Sequence, residues 1–347
     1  MPGPLLEVRD LGVSFRTEAG LVRAVDRVSF VLHPGEVLGI VGESGSGKSV
    51  TAMSILRLIR DPNAVFTGQA LFEGQDLMSL APREMRKVRG AKIAMIFQDP
   101  MSSLNPVYRV GWQIAEQVRE HEQSSRQEAR RRAVELLGEV GIPNARSRVD
   151  DYPHQFSGGM RQRVMIAMAL SCHPDLVIAD EPTTALDVTI QAQILALLRR
   201  LRDDFGSTVV LITHDMGVLA DIADRMLVMY AGRIVEQGAK RAVFADPQHP
   251  YAWGLLGATP RLDRPKPRRL LAIPGAPPSL IDLPAGCHFR PRCDYAFDRC
   301  VEDPALTDKV GESHLDESHL DACHLPVPDK RRLSPHSSYA VPGGADD

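Results

Sequence analysis

The segment from Gly42 to Ser49 carries the clearest chemical signal: it reads G-E-S-G-S-G-K-S and stands between an apolar run and a helix-forming run. Glycines at this spacing let backbone N–H groups turn inward around phosphate oxygens, and the start of the following helix adds partial positive charge. Lys48 can then reach the β- and γ-phosphates of a nucleotide, and the Ser49 hydroxyl can bind Mg²⁺. The segment therefore predicts a phosphate-binding loop, or P-loop.

Two adjacent carboxylates, Asp180 and Glu181, end a second apolar run that begins at Leu176. A carboxylate at the end of a buried strand has a function there if it faces Mg²⁺, and we assign Asp180 to that side. Glu181 can then polarise an attacking water as general base, an effect worth about 10² to 10⁴ in rate. The pair alone could cap a loop, but downstream of a P-loop it indicates nucleotide hydrolysis.

A third segment, Phe156 to Arg163, reads F-S-G-G-M-R-Q-R and precedes a helical run. Ser157, Gly158 and Gly159 present a hydroxyl and N–H groups at a helix start, which makes a second anion site on the same chain. One molecule does not need two sites for the γ-phosphate. Two molecules placed face to face do, because each P-loop then meets the partner's Ser157 loop.

Three apolar runs of the kind found in buried parallel strands position these segments, at residues 36–41, 176–179 and 208–213. Apolar residues at helical spacing follow Ser49, and residues 127–140 form a charged amphipathic helical pattern. Strands that alternate with helices predict an α/β fold with a largely parallel sheet.

The composition is that of an ordinary globular protein. Its 347 residues carry 41 Lys and Arg against 44 Asp and Glu, so the net charge of −3 excludes a general nucleic-acid binder. No apolar run approaches the roughly 18 to 20 residues that span a bilayer. The N-terminus has no basic segment before a long apolar core, so we expect no signal peptide and no export.

The distribution of proline divides the chain, because more than half of the 26 prolines and four of the five cysteines follow residue 239. The predicted parts are a nucleotide-binding domain (1–240) with a helical subdomain (about 99–165), a Pro- and Cys-rich C-terminal domain (241–330) and a flexible tail (331–347). Residues 312–321 contain E-S-H-L-D twice. This repeat favours a duplicated surface loop over a pair of metal ligands.

These motifs, in this order, resemble the ATP-binding-cassette (ABC) family over nearly all of residues 5–240. The resemblance implies a P-loop NTPase fold of the ABC type, with a helical signature subdomain, that hydrolyses ATP with Mg²⁺. It implies that Gln98 senses the γ-phosphate and Mg²⁺, and that His214 contacts the γ-phosphate. Ser157 to Gln162 is implied as the signature motif that completes the partner's site. Asp187 is implied as the key acid of a loop that crosses the dimer interface.

Phe15 resembles the aromatic residue that stacks on adenine, although Leu11, Val13 and Phe15 alternate and could all be core. The residues predicted to contact nucleotide are Phe15, Gly42, Ser44, Gly45, Ser46, Gly47, Lys48, Ser49, Thr51, Asp180, Ser157, Gly158, Gly159, Gln162 and Asp187. The predicted catalytic residues are Glu181, His214 and Gln98. The predicted Mg²⁺ ligands are Ser49, Gln98 and Asp180.

Residues 98–106 and the C-terminal segments 249–256 and 286–293 resemble the ATPases of oligopeptide, dipeptide and nickel importers. This implies a cytosolic ATPase on the cytoplasmic face of the inner membrane, with two membrane permease subunits and an extracytoplasmic substrate-binding protein as partners. Residues 47–52 resemble one of two paired ATPase types, which implies a heterodimer with a second, related ATPase. Family frequency favours peptides over nickel as substrate.

A soluble ABC ATPase of DNA repair or translation is the alternative function. That class needs a long coiled-coil insertion or a second cassette, whereas this chain has one P-loop and no sustained heptad run. Intact Lys48, Asp180, Glu181 and His214 count against a third possibility, a scaffold subunit that does not hydrolyse ATP.

Four cysteines are spaced C-x5-C-x6-C-x22-C in a segment with little core, which favours a metal that holds the segment together. Zn²⁺ sites usually contain paired C-x2-4-C spacings, which are absent. Four cysteines also suit a [4Fe–4S] cluster, and importer ATPases with these cysteines carry one by resemblance. We therefore expect a structural [4Fe–4S] cluster, with Zn²⁺ as the alternative, on Cys287, Cys293, Cys300 and Cys323.

Overall fold

The computed structural model describes residues 3–183, 188–258, 273–308 and 318–336, which form two compact units. Unit 1 contains the described residues of 1–5, 33–37 and 76–212, and unit 2 contains those of 6–32, 38–75 and 213–347. The strands are β1 (Leu6–Thr17), β2 (Gly20–Leu32), β3 (Val37–Val41), β4 (Ala64–Phe72), β5 (Gln75–Asp76), β6 (Ile93–Ile96), β7 (Leu176–Asp180), β8 (Thr208–Ile212), β9 (Arg225–Tyr230), β10 (Arg233–Ala239), β11 (Thr307–Asp308) and β12 (Leu320–Asp321).

The helices are α1 (Lys48–Ile55), α2 (Pro82–Val88), α3 (Pro100–Ser103), α4 (Val110–Glu122), α5 (Arg126–Glu139), α6 (Ala145–Arg148), α7 (Gly158–Ala169), α8 (Val188–Phe205), α9 (Met216–Ile222), α10 (Lys240–Ala245), α11 (Pro250–Gly257) and α12 (Val327–Leu333). Among the helices of the described ranges, none combines the length and the apolar character that crossing a lipid bilayer requires.

Unit 1 is built on the parallel strands β6, β7 and β8, with β7 in the middle. Every residue of β7 and β8 is buried, which explains why both strands are continuous apolar runs rather than alternating ones. Helices α4, α5 and α7 pack against one another, and α5 begins with a capping box made by Ser125 and Glu128. The strands predicted at 176–179 and 208–213 and the helix predicted at 127–140 are confirmed.

In unit 2, β1 lies between β2 and β4 and pairs with both in antiparallel fashion. Unit 2 also contains the strand order β11-β12-β10-β9-β3, in which β3 runs parallel to β9 and the other pairs are antiparallel. β3 is buried throughout and leads through the P-loop into α1, as the sequence predicted. The predicted α/β class is therefore confirmed.

The described C-terminal region of unit 2 is joined to β10 through β12, where Glu236 lies opposite Asp321. The Nε2 atom of His319 lies 2.8 Å from the Oε1 atom of Glu236, and both side chains are buried. Burial opposes a charge on the imidazole, but the hydrogen bond to Glu236 and the negative charges of Glu236, Asp321 and Asp246 together outweigh it and raise the pKa of His319. The predicted surface loop is thus wrong for the second E-S-H-L-D copy from residue 318 onward, and residues 309–317 lie outside the described residues.

Helix α12 carries a fully buried ion pair in which Lys330 Nζ donates to Asp321 Oδ2 over 2.6 Å. The next residue, Arg331, pairs with Asp246 over 2.8 Å, and a ring nitrogen of His336 lies 2.9 Å from the Trp253 carbonyl oxygen. Residues 331–336, where the predicted tail begins, therefore contact the rest of unit 2. Residues 337–347 lie outside the described residues.

Lys330→Met is expected to lower the free energy of unfolding by about 3 kcal/mol, because it leaves the buried Asp321 carboxylate without the ammonium group. Urea titration followed by circular dichroism measures this change. Lys87→Met is the matched control, since Lys87 and Glu84 form an exposed ion pair at 3.0 Å and such pairs contribute about 0 to 1 kcal/mol. Equal losses in the two variants would contradict the assignment.

Candidate nucleotide-binding site

The P-loop of unit 2 adopts a backbone that requires glycine at defined positions. Gly47 has φ +102°, and a Cβ atom there would lie 2.5 Å from the carbonyl oxygen of Ala24. A Cβ atom on Gly42 would overlap the carbonyl oxygen of Met229. These contacts give a steric reason for the first and last glycines of the motif, in addition to their role toward phosphate.

The ammonium group of Lys48 is buried at the centre of the loop. It donates to the carbonyl oxygens of Gly42 over 2.7 Å and Glu43 over 2.9 Å, and it lies 3.4 Å from the Ser46 hydroxyl. The Thr51 hydroxyl donates to the Gly47 carbonyl oxygen over 2.9 Å, which ties the first turn of α1 to the loop. Ser44 and Gly45 are exposed at the tip. The loop therefore holds a cation against its own backbone, as phosphate binding needs.

The two predicted carboxylates follow each other at the end of β7 in unit 1. Asp180 is the last residue of the strand and is 5% exposed. Glu181 has φ +47°, which is uncommon for a residue other than glycine, and its N–H donates to the Ile212 carbonyl oxygen over 2.9 Å. The Nε2 atom of Gln98 donates to Glu181 Oε2 over 3.0 Å. The structure thus brings Gln98 and Glu181 together, and backbone strain at Glu181 is typical of a functional position.

The signature segment of unit 1 begins α7. Ser157 is the N-cap, and its hydroxyl oxygen accepts the N–H of Met160 over 3.4 Å. Ser157 and Gly158 are exposed, so this helix start faces outward. Gln162 is buried, and its side chain donates to the Pro182 carbonyl oxygen over 2.9 Å. That bond links α7 to the residue that follows Glu181.

The other predicted contacts differ in their surroundings. Leu11 and Val13 on β1 are fully buried, whereas Phe15 is half-buried, which separates Phe15 from the core residues with which it alternates. His214 is exposed two residues beyond the end of β8. Asp187 lies outside the described residues. Adenine stacking by Phe15 and phosphate contact by His214 remain predictions.

The predicted site residues fall into two groups, one in each unit. Unit 2 contains Phe15, the P-loop and His214, and unit 1 contains Gln98, Asp180, Glu181 and the signature segment. That the two groups of residues act on the same nucleotide is a prediction from the sequence. The predicted Mg²⁺ ligands offer hydroxyl, amide and carboxylate groups, which is the oxygen-donor chemistry that Mg²⁺ prefers.

The predicted [4Fe–4S] cluster, and Zn²⁺ in its place, must be corrected. The described residues include all four cysteines, yet among them no group of three or more His, Cys, Asp or Glu side chains is placed to hold a metal ion. The four cysteines line a cavity of only about 10 Å³, room for about one water. Burial raises the pKa of Cys293 to about 12 and that of Cys323 to about 11. The spacing of the cysteines in the sequence does not show whether their side chains are placed to hold a metal ion.

One exposed aromatic pair in unit 1 was missed by the sequence analysis. The rings of Tyr108 and Trp112 stack with their centroids 4.3 Å apart, and the two residues are 44% and 45% exposed. Val107 beside them is 69% exposed. Trp112 lines two grooves of about 360 and 610 Å³. The available signal was the spacing of the two aromatic residues, which stand four positions apart in the sequence.

Comparison with known proteins connects this geometry to a family. A family model for the ABC transporter matches residues 25–184, and a model for the oligopeptide/dipeptide transporter, C-terminal region, matches residues 235–300. The chain is 54% identical over 311 residues to the oligopeptide transport ATP-binding protein OppD of Bacillus subtilis (strain 168), covering 89% of this chain and 87% of that protein. It is 53% identical over 303 residues to the dipeptide transport ATP-binding protein DppD of Escherichia coli (strain K12), covering 87% and 92%.

A solved structure agrees with these relatives. The dimeric post-hydrolysis state of the ATP-binding cassette MJ0796 bound to ADP and Pi matches with a TM-score of 0.62 at 28% identity, covering 68% of this chain and 99% of that chain. The predicted ABC-type P-loop fold is confirmed. On the strength of these matches, the chain belongs to the ABC transporter family, among the ATP-binding proteins of oligopeptide and dipeptide transport.

Proposed function

We propose that this chain is the ATP-hydrolysing subunit of an ABC importer that takes up di- or oligopeptides. The observation that carries the proposal is the match of residues 235–300 to the oligopeptide/dipeptide C-terminal region, in a chain whose ABC part keeps Lys48, Asp180 and Glu181. The ABC part supports ATP hydrolysis, and the C-terminal part supports peptides rather than nickel as cargo.

The described contacts support a division of roles between the site residues. The P-loop N–H groups and Lys48 bind the phosphates of ATP. Ser49, Asp180 and Gln98 supply oxygen ligands to the Mg²⁺ that accompanies ATP and neutralises part of its charge. Glu181 accepts a proton from the attacking water, while the bond from Gln98 Nε2 orients its carboxylate. His214, by the resemblance, contacts the γ-phosphate.

Peptide-dependent ATP hydrolysis tests this function. The chain is purified with its two permease subunits and the second ATPase in proteoliposomes, together with the substrate-binding protein. We expect the ATPase rate to rise with di- or oligopeptides and not with Ni²⁺. Stimulation by Ni²⁺ alone would assign nickel import instead, and an ATPase that responds to neither would contradict an importer of this kind.

The exposed surface around Trp112 is where we place contact with a permease subunit. Exposed aromatic residues beside a groove are typical of protein interaction sites. Arg109, Arg119, Arg126 and Arg130 also line the 360 Å³ groove, together with Glu116 and Asp150. An apolar centre with a charged rim suits a short amphipathic helix of a partner. Such contact would hold the chain peripherally at the cytoplasmic face of the membrane.

Trp112→Ala should weaken binding to the permease subunits at least about thirtyfold, because buried aromatic anchors dominate interface energies. Co-purification at graded salt and peptide-stimulated ATPase activity measure the loss. Phe205→Ala is the control, since Phe205 is 49% exposed elsewhere in unit 1. Permease binding that survives Trp112→Ala would place the contact on another surface.

A second ATPase subunit is part of the same proposal. Ser157 and Gly158 form an exposed helix start that offers a hydroxyl and N–H groups to a ligand outside the chain. The dimeric structure of the cassette MJ0796 bound to ADP and Pi supports a pair of ATPase subunits. The resemblance of residues 47–52 to one of two paired types favours a related, rather than identical, partner.

A further inference from the structure

The C-terminal region of unit 2 contacts the P-loop directly. The phenol oxygen of Tyr251, on α11, accepts the backbone N–H of Glu43 over 2.7 Å. Glu43 is the second residue of the P-loop, and its carbonyl oxygen also accepts the ammonium group of Lys48. Tyr251 is fully buried. Its hydroxyl therefore orients the same peptide segment that holds the phosphate-binding lysine.

A second contact engages the Glu43 side chain. The guanidinium of Arg292 forms two hydrogen bonds with the Glu43 carboxylate, at 2.6 Å and 3.1 Å. The Arg292 side chain is 5% exposed, and the ion pair raises its pKa. Bidentate pairs of this kind are among the strongest and most directional ionic contacts. Arg292 thus sets both the position and the effective charge of Glu43.

Arg292 and Tyr251 are themselves held firmly. Arg292 Nε donates to the Pro274 carbonyl oxygen over 2.7 Å, and its guanidinium lies 5.8 Å from the ring of Tyr230 and 5.9 Å from that of Phe289. Tyr251 packs against the same two rings, with centroids 4.6 and 5.5 Å away. Contacts other than those with Glu43 therefore hold both side chains in position.

The start of α11 is anchored from β10. The two carboxylate oxygens of Glu236, which is fully buried, accept the N–H groups of Gln248 and His249 over 2.8 Å each. His249 caps α11 by accepting the N–H of Tyr251. A continuous set of hydrogen bonds therefore runs from β10 through α11 to the P-loop.

Glu43 places a negative charge in a loop that binds polyphosphate, and an unpaired carboxylate there would repel the ligand. We propose that Arg292 and Tyr251 are positioning residues for ATP, through which the C-terminal region neutralises Glu43 and holds the P-loop in its binding conformation. The proposal rests on the P-loop being the ATP site. When these contacts are lost, a smaller fraction of the molecules has the P-loop in its binding conformation. The apparent Kd for ATP then rises in inverse proportion to that fraction.

Arg292→Gln in the full chain should raise the Kd for ATP, measured by calorimetry with Mg²⁺ and a non-hydrolysable ATP analogue, about tenfold. The KM for ATP should rise by the same factor, with kcat little changed. Arg292→Lys keeps the positive charge but cannot form the two parallel hydrogen bonds of the guanidinium, so it should recover part of the affinity for ATP. Arg299→Gln is the control, because Arg299 lies in the same region but is exposed in its pair with Glu302.

A double-mutant cycle separates charge neutralisation from mere support of the fold. In a Glu43→Gln background, Arg292→Gln should change the Kd less than twofold, because no carboxylate is left to neutralise. If Arg292 only holds the C-terminal region in place, its effect persists in that background or appears only as a lower Tm. Either result would overturn the role of Arg292.

Tyr251→Phe is the mildest test, since it removes one oxygen and keeps the ring. We expect a threefold to tenfold rise in Kd with an almost unchanged Tm, and no rise for Tyr295→Phe, whose ring packs on Trp253. An unchanged Kd for Tyr251→Phe would overturn the role of Tyr251. Lys48→Ala distinguishes a failure of this proposal from a failure of the proposed ATP site. If Lys48→Ala leaves the affinity for ATP intact, the assignment of the P-loop as the ATP site fails.

Discussion

ATP turnover by the assembled importer should fall by about 10² to 10⁴ when Glu181 is replaced by glutamine. Glutamine keeps the shape of the side chain but cannot accept the proton of the attacking water. The structure favours this residue over the neighbouring acid, because Glu181 has a left-handed backbone and accepts a hydrogen bond from Gln98, whereas Asp180 is buried as the last residue of β7. ATP binding should persist, so an ATP-bound dimer should accumulate.

Single-turnover hydrolysis and size-exclusion chromatography with ATP measure these two effects of Glu181→Gln. Glu135→Gln is the matched control, since the Glu135 side chain is 61% exposed on α5. Near-normal turnover in Glu181→Gln would remove Glu181 from the general-base role. Loss of ATP binding together with turnover would instead assign Glu181 to nucleotide binding.

Ser157→Arg should lower hydrolysis at the P-loop of the partner ATPase by about 10² or more, while hydrolysis at the mutant's own P-loop continues. The reason is that Ser157 and the N–H groups behind it form an exposed helix start, which we propose binds the partner's nucleotide, and losing one preorganised donor costs about 10² to 10³ in rate. Photo-labelling with an azido nucleotide, followed by separation of the two ATPase chains, shows which P-loop retains product.

The capping role of Ser157 requires its own control. Ser125 caps α5 in the same unit by an equivalent bond, with its hydroxyl oxygen accepting the N–H of Glu128 over 3.3 Å. Ser125→Arg therefore loses a helix cap of similar value, about 0.5 to 2 kcal/mol, without touching a phosphate site. If both variants impair hydrolysis equally, or if Ser157→Arg affects only its own P-loop, the face-to-face arrangement is wrong.

The C-terminal region shows how far the local pattern and the tertiary structure can diverge. The cysteine spacing suggested a metal centre, but the four cysteines line a cavity with room for about one water, and no group of described side chains is placed to hold a metal ion. The neighbouring Arg292, to which the sequence analysis gave no role of its own, instead reaches the P-loop. Spacing limits which side chains can meet, but distances and desolvation decide whether they bind a metal.

The amino-acid sequence by itself determined the features that arise from contiguous residues. The P-loop is readable because its glycines, Lys48 and Ser49 act within one turn between a strand and a helix. β3, β7 and β8 are readable because strands buried on both faces must be apolar throughout. Capping of α7 by Ser157 also follows from the local residues.

Only the tertiary structure decided which distant side chains meet. Most of these contacts join residues that are far apart in the sequence and form no motif together. They are the bonds of Glu43 to Tyr251 and Arg292, the bond of Gln98 to Glu181, and the buried pair Glu236–His319. The buried pair Asp321–Lys330 joins residues only nine positions apart. The physical reason is that the charge of a carboxylate is tolerated in the interior only where the fold brings a donor to it. Such complementarity is a property of three-dimensional packing, and no local periodicity or propensity records it.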